Sequence, residues 1–105
     1  MFILSLTYTA RLSEVDRHIE PHMDWVKEGY DRGIFLASGR KNPRTGGVIF
    51  ARGTRAEIEA IVAADPFTIH GVADTEITEV TVTRTAQTAT CLIRLTPPTS
   101  PRLTF

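Results

Sequence analysis

The chain of 105 residues is short enough for a single domain and long enough to bury a hydrophobic core. Twelve Lys and Arg residues balance twelve Asp and Glu residues, so no excess of positive charge predicts binding to nucleic acid or to an anionic membrane. The single cysteine, Cys91, excludes an intramolecular disulfide and argues against a thiolate metal site, which favours a location in the reducing cytoplasm.

The first predicted element is a strand at residues 2–9, "FILSLTYT", which is rich in β-branched and aromatic residues. Its polar and apolar residues do not alternate strictly, so we expect a strand that is largely covered on both sides. The segment is too short to span a membrane, and it lacks the preceding basic residue of a signal peptide.

A helical region follows the first strand. Ser13 begins "SEVD", which has the form of a capping box closed by Asp16. Further along, Pro21 predicts either a kink or a short helix followed by a longer one, and Gly33 predicts the helix end. Residues at spacings of three or four form one face of this region: Val15, Ile19, His22, Val26 and Tyr30.

Two further strands are predicted on either side of a loop. Residues 34–38, "IFLAS", predict the second strand, and residues 48–52 predict the third. Between them, "GRKNPRTGG" combines a proline with glycines, a composition that is typical of a loop.

The second helical region begins with a capping box formed by Thr54 and Glu57. It is expected to end at Asp65, because the proline that follows disfavours helical geometry in the residue before it. Residues 76–84 alternate between polar and apolar types and predict the fourth strand, with a slip or bulge near Glu79.

The order strand, helix, strand, strand, helix, strand predicts an α+β fold of the ferredoxin-like βαββαβ type. Its antiparallel sheet would carry both helices on one face, so we expect a second copy of the chain to cover the other face in a homodimer. We assign residues 1–85 to this domain and residues 86–105 to a Thr/Pro-rich C-terminal extension, in which "CLIRL" would form a short edge strand.

Two residues stand out as candidates for chemistry. His22 lies on the apolar face of the first helical region, where an imidazole needs hydrogen-bond partners. Asp65 lies near the negative end of a helix dipole, so its carboxylate is better placed facing a donor such as His22. A carboxylate that holds an imidazole fixes its tautomer for general-base work, whereas the alternative is a buried polar pair that only stabilises the fold.

Two other histidines are weaker candidates. His18 and His22 have the spacing of a metal-binding pair, but Pro21 between them disturbs the helical turn, and we expect no metal. His70 follows Asp65 on the same connector and either lines the same cleft or lies on the surface.

The loop after the second strand is the candidate binding segment. Glycines such as Gly39 let a backbone approach a ligand closely, and Arg40 and Arg44 have the forked donors that hold a carboxylate or phosphate. The Gly-Lys-Ser/Thr ending of a phosphate-binding loop is missing. The alternative interpretation is a solvated hairpin with charged tips.

Together, "HMDWVKEGYDRGIFLASG", the "PRTGG" loop and "DPF" followed by glycine resemble the YciI-like (YCII-related) family over residues 1–85. The resemblance implies a ferredoxin-like fold that assembles as a dimeric α/β barrel. It also implies an active-site His/Asp pair at His22 and Asp65, with Ser38 and Gly39 lining the cleft. Arg40 is a departure, because many relatives have proline there.

The resemblance further implies proton abstraction from cyclic or phenolic small molecules, because relatives include a dehydrochlorinase and the similarly folded muconolactone isomerases. We therefore expect a lyase or isomerase that needs no cofactor. The substrate-binding residues would be Ser38, Gly39, Arg40, Arg44, Phe67 and His70. The alternative is a non-catalytic dimer that binds a small ligand or supports another protein.

Overall fold

A computed structural model describes residues 1–86, in which a four-stranded antiparallel sheet packs against helices. The strands are β1 (Phe2–Tyr8), β2 (Phe35–Arg40), β3 (Gly46–Ala51) and β4 (Ala73–Glu79). The helices are α1 (Leu12–Asp16), α2 (Ile19–Asp31), α3 (Arg55–Ala63) and α4 (Pro66–Ile69). The sheet order β2-β3-β1-β4 confirms the α+β, ferredoxin-like prediction. Cys91 and the predicted "CLIRL" strand lie outside the described residues.

The central strand β1 separates the two faces of the sheet. Phe2, Leu4 and Leu6 are buried and contribute to the hydrophobic core, while Ile3 and Ser5 between them are only half-buried. The prediction that β1 is covered on both sides is therefore wrong for the single chain. The core lies on the helix-bearing face, because side chains alternate along a strand.

The start of the first helical region differs from the prediction. α1 begins at Leu12 with Arg11 as its N-cap, and no side chain caps it, so Ser13 lies inside the helix. The break between α1 and α2 places Pro21 at the third position of α2, where an N–H would have no partner within the helix. This is the predicted short helix followed by a longer one. Gly33 follows the end of α2 with φ of 71°, in the left-handed region that glycine favours.

The strands β2 and β3 extend into the segment that was predicted as a loop. Gly39, Arg40, Gly46 and Gly47 are all strand residues, so the hairpin loop is shorter than the glycine content indicated. Position 46 requires a glycine, because a Cβ there would lie 1.8 Å from the carbonyl oxygen of Leu6 on the neighbouring strand.

The fourth strand begins and ends earlier than predicted. β4 ends at Glu79, which pairs with Phe2, the first residue of β1. Hydrogen bonding continues one residue beyond the strand ends, where the backbone N–H of Val80 donates to the carbonyl of Met1 at 2.7 Å. The irregularity that was expected near Glu79 is instead found in β2, between Phe35 and Ala37.

Thr54 is the N-cap of α3 as predicted, and the reciprocal contact of Glu57 is to the cap's side chain, since Oγ1 of Thr54 donates to Oε1 of Glu57 at 3.0 Å. The backbone N–H of Glu57 donates to Oγ1 of Thr54 at 3.2 Å. The helix ends at Ala63, and Asp65 then becomes the N-cap of α4, a single turn that the sequence did not predict. No helix of the part of the chain that the structure describes is long and apolar enough to cross a membrane.

The close packing of α2 on the sheet predicts that Gly29 does not tolerate a side chain. A Cβ at Gly29 would lie 2.2 Å from the ring of Phe35, so Gly29→Ala should displace that ring. We expect the free energy of unfolding in urea to fall by about 1–3 kcal/mol, despite the better helix propensity of alanine. Gly39→Ala is the matched control, because nothing lies within 4 Å of its Cβ position. Equal stability of the two variants would contradict this account.

Candidate active site

A cavity of about 410 Å³ lies between α2 and the end of the sheet formed by β1, β2 and β3. That volume is within the usual range for small-molecule pockets. Helical residues, strand residues and Phe67 of α4 form its wall: Leu6, Tyr8, Ile19, His22, Met23, Val26, Ser38, Gly39, Arg40, Arg44, Gly46, Gly47, Val48, Ile49 and Phe67. Of the predicted site residues, Asp65 and His70 do not line it.

The buried pair behind this wall consists of His22 and Asp65. Nδ1 of His22 and Oδ1 of Asp65 are 2.7 Å apart, although the residues are 43 positions apart in sequence. The exposed fractions are 8% for His22 and 1% for Asp65, so the contact is shielded from solvent. An ionised carboxylate accepts hydrogen bonds and cannot donate, so Nδ1 carries the proton of this bond when Asp65 is charged.

Local structure holds both partners in place. His22 lies one turn into α2, on the buried face that it shares with Val26 and Gly29. Asp65 is the N-cap of α4, where Oδ1 also accepts from the backbone N–H of Phe67 at 3.0 Å. One carboxylate oxygen therefore fixes both the start of α4 and the orientation of the imidazole.

Aromatic packing fixes the plane of the imidazole. The rings of His22 and Phe67 stack with centroids 3.8 Å apart and an interplanar angle of 6°. The ring centroid of Trp25 lies 5.4 Å from that of His22, and Nε1 of Trp25 donates to the carbonyl of Ile61. With Nδ1 held by Asp65, Nε2 is the ring nitrogen left to act in the pocket that His22 lines, and it has no hydrogen bond within residues 1–86.

The second oxygen of the Asp65 carboxylate is buried without a hydrogen-bond partner among the residues that the structure describes. Burying an unpaired charged oxygen is unfavourable. Within residues 1–86, the contacts that compensate this carboxylate are those of its other oxygen, Oδ1, with His22 and with the N–H of Phe67.

Ser38 contacts Tyr30, a residue that was not predicted to belong to the site. Its Oγ lies 2.6 Å from the hydroxyl of Tyr30 on α2. Either hydroxyl can be the donor of this bond, and when Tyr30 donates, the Ser38 proton is free to be donated into the pocket. The sequence signal for Tyr30 was its place on the same helical face as His22, which we interpreted as core packing.

The two predicted arginines have different environments. Arg44 makes an ion pair with Asp16 of α1, and its guanidinium lies 5.9 Å from the ring centroid of Tyr8. The hydrogen bond that Arg44 donates to the Asp16 carboxylate raises the pKa of Arg44 above its usual value. Arg40 lines the pocket, and in the described part of the chain no carboxylate pairs with it.

The remaining histidines form a separate pair. His18 stacks on His70 with ring centroids 4.0 Å apart, outside the pocket. The i, i+4 metal pair of His18 and His22 is thus not assembled, since the two side chains contact different partners. Within residues 1–86 no cluster of three or more His, Cys, Asp or Glu side chains has a geometry that could hold a metal ion.

Comparison with protein families matches the YCII-related domain to residues 1–81. The chain belongs to this family. The match spans all four strands and includes both His22 and Asp65. Among curated proteins, none matches this sequence.

A solved structure with a similar fold is 5-chloro-2-hydroxyhydroquinone dehydrochlorinase from Burkholderia phenoliruptrix AC1100, in complex with 2,5-dihydroxybenzoquinone. The TM-score is 0.64 with 16% sequence identity, and the alignment covers 76% of this chain and 93% of the other. At this identity the likeness establishes a shared fold.

The two hydrogen bonds to Oδ1 of Asp65 predict a stability effect. Asp65→Ala leaves the N–H of Phe67 and Nδ1–H of His22 without their acceptor, so we expect the free energy of unfolding to fall by about 1–3 kcal/mol. Asp65→Asn keeps an oxygen acceptor and should lose less. The control Asp31→Ala breaks only an exposed ion pair with Lys27 and should leave urea unfolding nearly unchanged. A loss as small as that of the control would contradict the assigned role.

Proposed function

We propose that this protein is a small enzyme in which His22 and Asp65 carry out general acid–base chemistry of the lyase or isomerase type. The substrate would be a cyclic or phenolic small molecule, and the proton transfers need no cofactor. The observation that carries the proposal is the buried hydrogen bond of 2.7 Å between Nδ1 and Oδ1, which leaves the opposite ring nitrogen of His22 for the pocket.

In this mechanism Nε2 of His22 is the proton acceptor. It removes a proton from a ring carbon or hydroxyl of the substrate, and the imidazolium that forms is stabilised by the Asp65 carboxylate. In an isomerase, Nε2 then returns the proton to another carbon. In a lyase, the electron pair of the broken C–H bond forms a new double bond, and the leaving group departs with its own bonding pair.

The pocket wall is suited to a planar ring. Phe67, Tyr8 and apolar side chains such as Leu6 and Val26 supply most of the contact surface. Ser38 supplies a hydroxyl on the sheet side, opposite the helix that carries His22. A hydroxyl or carbonyl oxygen of the substrate would accept its hydrogen bond, which orients the ring relative to Nε2.

The dehydrochlorinase of similar fold supplies a first test compound, since its name specifies a chlorinated hydroquinone. Halogenated hydroquinones and unsaturated lactones would be incubated with the protein in D₂O. Halide release and exchange of ring protons would be followed by ion chromatography and NMR. Exchange reports proton abstraction even when no leaving group is present.

His22→Asn should lower the rate of any turnover or exchange by at least about 100-fold, because it removes the general base. The variant should remain folded by circular dichroism. His70→Asn is the matched control, because His70 lies outside the pocket, and it should keep nearly full activity. Full activity of His22→Asn would refute the mechanism. Saturable binding with neither exchange nor turnover would favour the alternative function, a non-catalytic ligand-binding protein.

We further propose that a second copy of the chain covers the open face of the sheet. Ala37, Phe50, Ile3 and Thr78 are aligned across the four strands on the face away from the core. Ile3 and Phe50 are half-buried in the single chain, so association would remove apolar surface from water.

The proposed homodimer predicts a position-specific effect of charge. Phe50→Glu places a carboxylate at the centre of the open face and should convert a dimer into a monomer in size-exclusion chromatography with light scattering. Ala56→Glu adds the same charge to an exposed position on α3 and should leave the dimer intact. A monomeric wild-type protein would contradict the proposal, and so would a Phe50→Glu variant that remains dimeric.

A further inference from the structure

We infer that Arg40 makes the pocket selective for substrates that carry an anionic group, of which a ring carboxylate is the best fit, whereas Arg44 is a structural residue of the rim. The inference rests on the proposed function in that it takes this pocket as the substrate site. It goes further by assigning the charge of the substrate and the side chain that recognises it.

The strand register determines which way Arg40 faces. Arg40 is paired with Gly47, and Gly47 is paired with Leu6, a core residue of the helix-bearing face. Paired residues of antiparallel strands share a face, so the Arg40 side chain leaves the sheet on the side of the pocket. Its cross-strand neighbour is a glycine, which adds no side chain beside it, and Arg40 is one of the residues that line the cavity.

Ser38 lies two residues earlier on the same strand and therefore on the same face. Arg40 and Ser38 form a polar edge on the sheet side of the pocket, and His22 faces them from α2. A substrate held by its anionic group at Arg40 would place its ring between this edge and the imidazole.

The charges around the pocket favour an anion. No Asp or Glu is among the described residues that line it. Arg44 lines it too, but its charge is compensated by Asp16. Arg40 therefore leaves a net positive charge on the wall that a ligand can pair with.

The shape of the guanidinium selects among anions. A planar guanidinium donates two parallel hydrogen bonds to a carboxylate, an arrangement that lysine cannot reproduce. The apolar part of the wall, which includes Leu6 and Phe67, would contact the ring that carries the carboxylate. A neutral ring would fill the same pocket without this interaction.

The test compares 2,5-dihydroxybenzoate with its methyl ester, which has the same ring and hydroxyl groups but no charge. Binding to the wild-type protein and to Arg40→Gln is measured by isothermal titration calorimetry at two salt concentrations. We expect the wild-type protein to prefer the acid, and Arg40→Gln to weaken binding of the acid by at least about tenfold while binding of the ester changes little.

Lys41→Gln is the matched control. It removes the same charge one residue along the chain, where Nζ of Lys41 contacts Thr7 and does not line the pocket. It should preserve the preference for the acid. The paired substitution Asp16→Asn/Arg44→Gln removes both charges of the rim ion pair and should affect acid and ester alike, because the net charge beside the pocket does not change.

Three results would overturn the inference: equal binding of acid and ester by the wild-type protein, a preference for the acid that survives in Arg40→Gln, or no binding of the acid at millimolar concentration. The readout is binding, so it is independent of turnover. If His22→Asn keeps full activity while Arg40→Gln loses the preference, the catalytic assignment is wrong and the specificity assignment holds. The reverse pattern would remove the role of Arg40 and leave the mechanism intact.

Discussion

The buried hydrogen bond between His22 and Asp65 links two helices that are far apart in sequence. A carboxylate that is 1% exposed is stable only where donors surround it, and here the donors are an imidazole of α2 and the first turn of α4. The same oxygen accepts both hydrogen bonds. The position of α4, the orientation of the imidazole and the stacking of Phe67 therefore depend on one side chain.

The sheet supplies the other side of the pocket through its register. Alternation along β2 points Ser38 and Arg40 towards the helices, while the partner strand points Phe50 away from them. A shift of one residue would exchange these two sets. The proposed ligand-binding edge and the proposed dimer surface are thus two consequences of a single register, which the irregularity between Phe35 and Ala37 helps to set.

The fold class could be predicted because the order of strands and helices admits few topologies. Element boundaries were less predictable. Ser13 has the residue type of a cap, but the chain starts α1 at Leu12. β4 begins at Ala73 because Tyr8 of β1 pairs with it there. The local sequence around Ala73 does not indicate this pairing. The turn α4 has four residues, too few to produce a periodic signal.

His22 and Asp65 were recognisable from the sequence because each is poorly explained by its own element. An imidazole on an apolar helix face and a carboxylate after a helix end both indicate a partner elsewhere, although Asp65 also has a local one in the N–H of Phe67. The sequence could not distinguish the roles of Arg40 and Arg44, or tell whether His70 lines the pocket. Both questions depend on which residues lie nearby in space. The tertiary structure brings Asp16 to Arg44 and His18 to His70, leaving Arg40 in the pocket. Residue types thus determined which side chains need partners, and chain packing alone decided which partners they meet.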